Sequence, residues 1–128
     1  MYRDHRTQWV LDLPYRKPPI TPNSRMHWSK RHRIMAAIKT SAYFLACCAR
    51  IPAQEHVSFQ LHYEPATVRR RDRGNLMDVH KAALDGIVKA GVVPDDNPKY
   101  VTEEMPVLHP ANKDAGGRMW IVIKAVPK

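Results

Sequence analysis

The sequence predicts an α+β fold: a single domain with a mixed β-sheet and two main helices packed on it, in the order β-α-β-α-β-β. Three observations lead there. Short stretches alternate apolar and polar residues at period two, the pattern of strands with one buried face. Two longer stretches repeat apolar residues at helical spacing. The chain has 128 residues, 44% hydrophobic and 26% charged, which suits one domain with one modest core and argues against disorder. No repeat, linker or low-complexity tract divides it.

The first strand falls in "TQWVLDLPY", where Trp9, Leu11 and Leu13 share one face. "RKPPITPNSR" follows, and the prolines between Pro18 and Pro22 make it a loop, because each fixes φ and removes a donor. The first helix lies in "HWSKRHRIMAAIKTSAYFLACCAR", with Ser29 as its expected N-cap and an apolar stripe of Ile34, Ala37, Ile38, Ala42, Leu45 and Ala46. Pro52 marks the next break. "HVSFQLHYEP" then sets Val57, Phe59, Leu61 and Tyr63 on one buried face of a second strand. "NLMDVHKAALDGIVKAG" predicts the second helix, capped by Asn75 and ended by Gly91. Leu76, His80, Ala83, Leu84 and Ile87 form its apolar side, and Asp78, Lys81 and Asp85 fall together on the other. "GVVPDDNP" is a tight turn, "KYVTEEMPVLHP" a short strand interrupted by Pro106, and "RMWIVIKAV" the last strand.

Lys and Arg total 21 against 12 Asp and Glu, a formal net charge of +9 with a pI near 9.9. Such an excess favours a polyanionic partner, nucleic acid ahead of an anionic membrane; a merely solvated basic surface is the alternative. Lys30, Arg31, Arg33 and Lys39 stand in the first turns of the first helix, where cations oppose the macrodipole. They point to an anionic partner or to a solvated face. Cys47 and Cys48 are adjacent within an apolar stretch, badly placed to staple a small domain, and read as buried free thiols of a reducing compartment. No Cys/His cluster has zinc-finger spacing. The charged start "MYRDHRTQWV" lacks the apolar core of a signal peptide, and no apolar run approaches membrane-spanning length, so an intracellular protein is expected. His80 reads as packed, and Trp9, Trp28 and Trp120 as core or interface residues, with Trp28, beside His27 in a basic loop, the one considered for base stacking.

The chemistry concentrates in "RRRDRGNLMDVHKAALDGIVKAGVVPDDNPKY". Asp72 precedes the second helix, and Asp95 and Asp96 follow it. About fifteen helical residues separate the ends, roughly 22 Å. The acids meet only if Asp72 ends a strand and the following segment returns beside it, as a strand bearing Val92 and Val93 would. If they converge, hard carboxylate oxygens suit Mg²⁺, which activates water and neutralises phosphodiester charge. Lys81 could then steady the scissile phosphate, and Arg69, Arg70, Arg71 and Arg73 could grip neighbouring phosphates as forked donors. On an extended segment Arg69, Arg71 and Arg73 would share one face and Arg70 the other. A salt-bridged, solvated surface is the competing reading.

On "LPYRKPPITPNSRMHW", "RRRD" followed by "N", "KAALDGIVKAGVVPDD" and the following "YV", the chain resembles the RusA family of Holliday junction resolvases, particularly its short phage and prophage members. The likeness covers nearly the whole chain and is strongest from Arg69 to Val101. It implies a homodimeric, Mg²⁺-dependent endonuclease (Mn²⁺ as substitute) that nicks four-way DNA junctions symmetrically in the cytoplasm of a bacterial host. It implies metal-binding or catalytic roles for Asp72 and Asp96, with Asp95 as neighbour, and a catalytic role for Lys81, while Asp85 matches an acid one turn later. Asn23, Ser24 and Arg25 fall in the family's N-terminal loop, where a DNA contact, for Asn23 and Arg25, and a structural turn role are equal expectations. The expected Asp-x-Asp-Asn reads Asp72-Arg73-Gly74-Asn75, so glycine replaces the second carboxylate. Lys81 comes about three residues late, and Asp78, in the added turn, is a candidate replacement ligand, as is Asn75 through its amide oxygen. A junction-binding protein without cleavage is the alternative that Gly74 raises.

Overall fold

The structure, a computed structural model, describes residues 7–22, 24–68, 71 and 73–126. Five strands and two helices follow in the expected order: β1 (Gln8–Asp12), α1 (Trp28–Cys48), β2 (Val57–Glu64), α2 (Met77–Lys89), β3 (Val101–Glu103), β4 (Val107–Leu108) and β5 (Arg118–Ala125). A 3-10 turn, Arg73–Leu76, leads into α2.

The sheet is mixed, in the order β1-β5-β2-β3, with β4 on the same edge of β2 as β3. The last strand lies between the first two, antiparallel to both, with Ile121 facing Leu11 on one side and Leu61 on the other. β3 and β4 run parallel to β2, at Val57–Phe59 and at His62–Tyr63 respectively. They are one edge strand broken where Pro106, with no N–H, cannot continue the ladder.

Alternation decides which face is covered. Trp9, Leu11, Val57, Phe59, Leu61, Tyr63, Met119, Ile121 and Ile123 are buried under the helices. Their alternates, among them Val10, Gln60, His62, Trp120 and Lys124, form an open face. Ile38, Ala42 and Ala46 of α1 and Val79, Ala83 and Ile87 of α2 complete the core. The helices run side by side in the same direction. Arg31 meets Asp78 near their starts, Gly86 lies against Lys39, Ala42 and Tyr43, and Lys89 sits over the Tyr43 ring.

Several local expectations are corrected. His27, not Ser29, caps α1: its Nδ1 accepts the Ser29 N–H at 3.2 Å. Asn75 does not cap α2, because the 3-10 turn carries the chain into the helix and Leu76 holds the cap position without a side-chain bond. Gly91 does end α2, at φ 83°. Ala37, Cys47 and Cys48 are exposed, since α1 turns them away from the sheet. Val92 and Val93 are buried but lie in a turn, and the strand that runs back along α2 is β3. Among the described residues no helix is long and apolar enough to cross a membrane.

Candidate nucleic-acid interface and acid cluster

Asp72, Arg69, Arg70 and Asn23 lie outside the described residues. The flanks of Asp72 are described. Arg71, Arg73 and Asn75 form one side of an open cleft of about 850 Å³, faced by Gln60 of β2 and by Glu104 and the 105–108 segment of the broken edge strand. The cleft follows from the break: β3 and β4 part at residues 104–106, leaving the β2 edge accessible beside the arginine turn. Glu104 is an acid that the sequence reading passed over. Its signal was there, since Val101 buried by alternation with Pro106 beyond it leaves Glu104 at the gap.

Arg73 starts the 3-10 turn and so does not continue an extended segment from Arg71. Arg71 is half-buried, its guanidinium 5.9 Å from the Tyr63 ring centroid, with Nη1 donating to the Thr67 carbonyl at 2.7 Å and Nη2 to Thr67 Oγ1 at 3.2 Å. It braces the turn after β2 while lining the cleft, whereas Arg73 is exposed.

Two predicted site residues meet each other. Arg31 Nη2 lies 2.9 Å from Asp78 Oδ2, both side chains partly buried. The alignment is not that of a good hydrogen bond, and among the described residues Oδ2 has no hydrogen-bond partner. The pair accounts for one cation at the start of α1: the anion that offsets it comes from the first turn of α2, where a carboxylate also suits the macrodipole. Lys30 and Arg33 stay exposed beside it, as does Arg25 in the preceding loop. Lys81 is exposed one turn beyond Asp78.

Asp95 and Asp96 sit in the turn beyond the other end of α2. Asp95 Oδ1 accepts the Asp96 N–H at 2.8 Å and Oδ2 accepts the Asn97 side-chain amide at 3.2 Å. The backbone donor holds the Asp95 carboxyl below the usual range. Asp96 is pushed up, first by desolvation, then by a side-chain hydrogen bond with Asp95 and by the charges of Asp95 and Asp85. Asp85 is thus near enough for its charge to act on Asp96. What returns to the start of α2 is β3: buried His80 (1% exposed) donates from Nε2 to Glu103 Oε1 at 2.8 Å, and the next residue is Glu104. The carboxylates have the hardness Mg²⁺ requires, but among the described residues no group of three or more His, Cys, Asp or Glu is arranged to hold a metal ion.

Trp9 is buried and Trp28 is 74% exposed, its ring 5.6 Å from that of His27. Trp120 lies outside the core, partly exposed on the open face of the sheet. No model of a known protein family matches this chain, and no curated protein matches it.

Proposed function

We propose that this protein is a metal-dependent, structure-selective DNA endonuclease that acts as a homodimer and resolves four-way junctions by paired nicks. The observation that carries the reading is the cleft in which Arg71, Arg73 and Asn75, the flanks of Asp72, face Glu104 in a chain of net charge +9. Forked guanidinium donors in an open groove suit a phosphate backbone. The resemblance in "KAALDGIVKAGVVPDD" adds the reaction class. Asp72 would hold Mg²⁺ at the cleft, and the Asp95–Asp96 pair, beyond the other end of α2, would form a separate carboxylate site; Mg²⁺ when bound supplies an activated water and charge neutralisation. Arg73 and the basic start of α1 would hold the junction arms, and Lys81 would face the cut phosphate. Two symmetric nicks require two sites, which a two-fold dimer supplies.

A second reading, junction binding without cleavage, draws on Gly74 in place of the second aspartate and on the absence of a ready metal group among the described residues. One experiment separates them. Purified protein is incubated with a labelled four-way junction in Mg²⁺ or in EDTA. Symmetric nicks with Mg²⁺, abolished in Asp72→Asn and Asp96→Asn with binding retained, are the expected result. A gel shift without cuts supports the binder, and the absence of both cuts and a shift would sink both readings. Cleavage at wild-type rates in both variants removes these aspartates from the metal site.

A further inference from the structure

The open sheet face carries an aromatic cluster that the cleavage reading does not use. His62 of β2 lies directly across from Trp120 of β5, and His109 follows β4. The three rings are near-parallel. His62 and Trp120 centroids are 5.2 Å apart at 10°, His109 and Trp120 5.0 Å at 26°, and the two imidazoles 5.1 Å at 23°. His62 Nδ1 and His109 Nε2 share a hydrogen bond of 2.9 Å, which locks the imidazoles edge to edge. All three rings are partly exposed.

Cations frame the cluster. The Arg118 guanidinium lies 5.0 Å over the Trp120 ring. Lys124, exposed on the same strand, is close enough for its charge to act on His62. On the other side a groove of about 330 Å³ is lined by His109, Leu108 and Arg71, and Arg71 and Leu108 also line the larger cleft. His109 thus joins the ring cluster to the groove, and Arg71 and Leu108 are walls that the groove shares with the cleft. Asp12, 3.8 Å from Arg118, and Glu64 are the acids of this face.

We infer that His62, His109 and Trp120 form a stacking platform for the bases of single-stranded nucleic acid, whose backbone runs on towards Arg71. The imidazoles lie against Trp120 and Arg118 lies over its ring, so a base stacks on Trp120 by displacing the Arg118 guanidinium, which then meets a phosphate alongside Lys124; such stacking accepts unpaired bases of any sequence. A second protein chain fits the face less well: at its centre are hydrogen-bonded imidazoles and Gln60 rather than a contiguous apolar patch. The inference does not depend on cleavage, and it concerns unpaired rather than duplex DNA.

The test uses a fluorescein-labelled oligothymidylate of about twelve nucleotides, and a duplex of equal length, in EDTA, with affinity read by anisotropy across a salt series. One stacked base contributes a factor of about five or more. Trp120→Ala should weaken oligothymidylate binding at least fivefold and leave duplex affinity within about twofold. Its salt slope should stay unchanged, because the phosphate contacts remain. Trp120→Phe should keep most of the affinity. His109→Ala, outside the strands, is the second variant if Trp120→Ala does not fold, and should also lose affinity for the single strand alone. Wild-type affinity in folded Trp120→Ala and His109→Ala overturns the inference. So does failure of the wild type to bind the oligothymidylate at low salt. Sedimentation that shows Trp120→Ala turning a dimer into a monomer, with binding unchanged, assigns the face to a second copy instead. Junction cleavage can fail or succeed independently of all these outcomes.

Discussion

Gly86→Ala is the perturbation that most directly probes how the two helices hold the candidate site together. In the middle of an isolated helix the change stabilises by about 1 kcal/mol, because alanine loses less backbone entropy. Here the new Cβ would fall on the Lys39 carbonyl oxygen and within 2.9 Å of both Ala42 Cβ and the Tyr43 backbone nitrogen. Two of those three atoms are backbone, so no rotamer change relieves the contact, and α1 and α2 must move apart. Overpacking of this kind costs about 1–3 kcal/mol, and a backbone obstacle belongs at or above the upper end. Set against the propensity gain, the net loss is about 2 kcal/mol. For a chain of 128 residues that lowers Tm by roughly 6–10 °C. Thermal and urea unfolding followed by circular dichroism measure it, and the m value should stay constant if only the native packing changes. Adding Ala42→Gly should not recover the loss, since both backbone obstacles remain and a glycine inside α1 itself costs about 1 kcal/mol. The consequence reaches the site, because the same interface holds Arg31 beside Asp78. A variant that melts at or above the wild-type temperature would refute the close approach, and with it the side-by-side placement of the basic start of α1 and the acidic first turn of α2.

Three further outcomes follow from the geometry. Asp78→Asn should cost about 1 kcal/mol through the partly buried Arg31 pair, with Arg31→Ala non-additive to it in a double-mutant cycle; if junction cleavage falls as far as in Asp72→Asn, Asp78 is a metal ligand as well. Arg73→Ala, exposed at the cleft, should lower the slope of log affinity against log salt by about one and change stability by less than about 0.5 kcal/mol, whereas Arg71→Ala should melt earlier because Thr67 and Tyr63 lose their partner; equal slopes for both variants and wild type would move the DNA path elsewhere. Burial first, then the charges of His109 and Lys124, hold the His62 imidazole below its ordinary value, so the unfolded chain takes up a proton before the folded one. Its contribution to stability is complete above about pH 6.5 and is lost as pH falls through the lower folded value; melting temperatures between about pH 5 and about pH 8 should show this, and His62→Phe should flatten that part of the profile.

The elements were legible because each buries one face, and a single buried face leaves a period in the sequence. Val57, Phe59, Leu61 and Tyr63 alternate for the same reason that Ile38, Ala42 and Ala46 recur along a helix. The break at Pro106 was legible too, because a missing donor is a local fact. Pairing is not local. Nothing in "RMWIVIKAV" says that this strand inserts between the first two, and nothing near Arg31 says that its partner is Asp78. The exposure of Cys47 and Cys48 escaped because apolar residues occur on both sides of α1 there, so composition gave no phase. Trp120 carried a signal that was not used: it stands in the polar phase of a strand whose buried phase is Met119, Ile121 and Ile123, and a large ring out of phase needs an external reason.

The acids divide on the same principle. Convergence of Asp72 with Asp96 required a segment returning along α2, and β3 does return, but it leaves the turn only after Asp96. Asp96 thereby stays within reach of the Asp85 charge, while Glu103 reaches His80 and Glu104 reaches the arginine cleft. A loop whose acids hydrogen-bond one another, and whose Asp96 carboxyl is raised by burial and by like charges, is a place where a cation would relieve repulsion. A cleft that sets one acid among arginines and asparagine is a place where phosphate binds and a lone carboxylate trims affinity. The two ends of α2 thus offer different chemistry, charge accepted at one and charge donated at the other. A nuclease needs both within reach of one phosphodiester, and that is why Asp72, standing in sequence between Arg71 and Arg73, is the residue on which the proposed function turns.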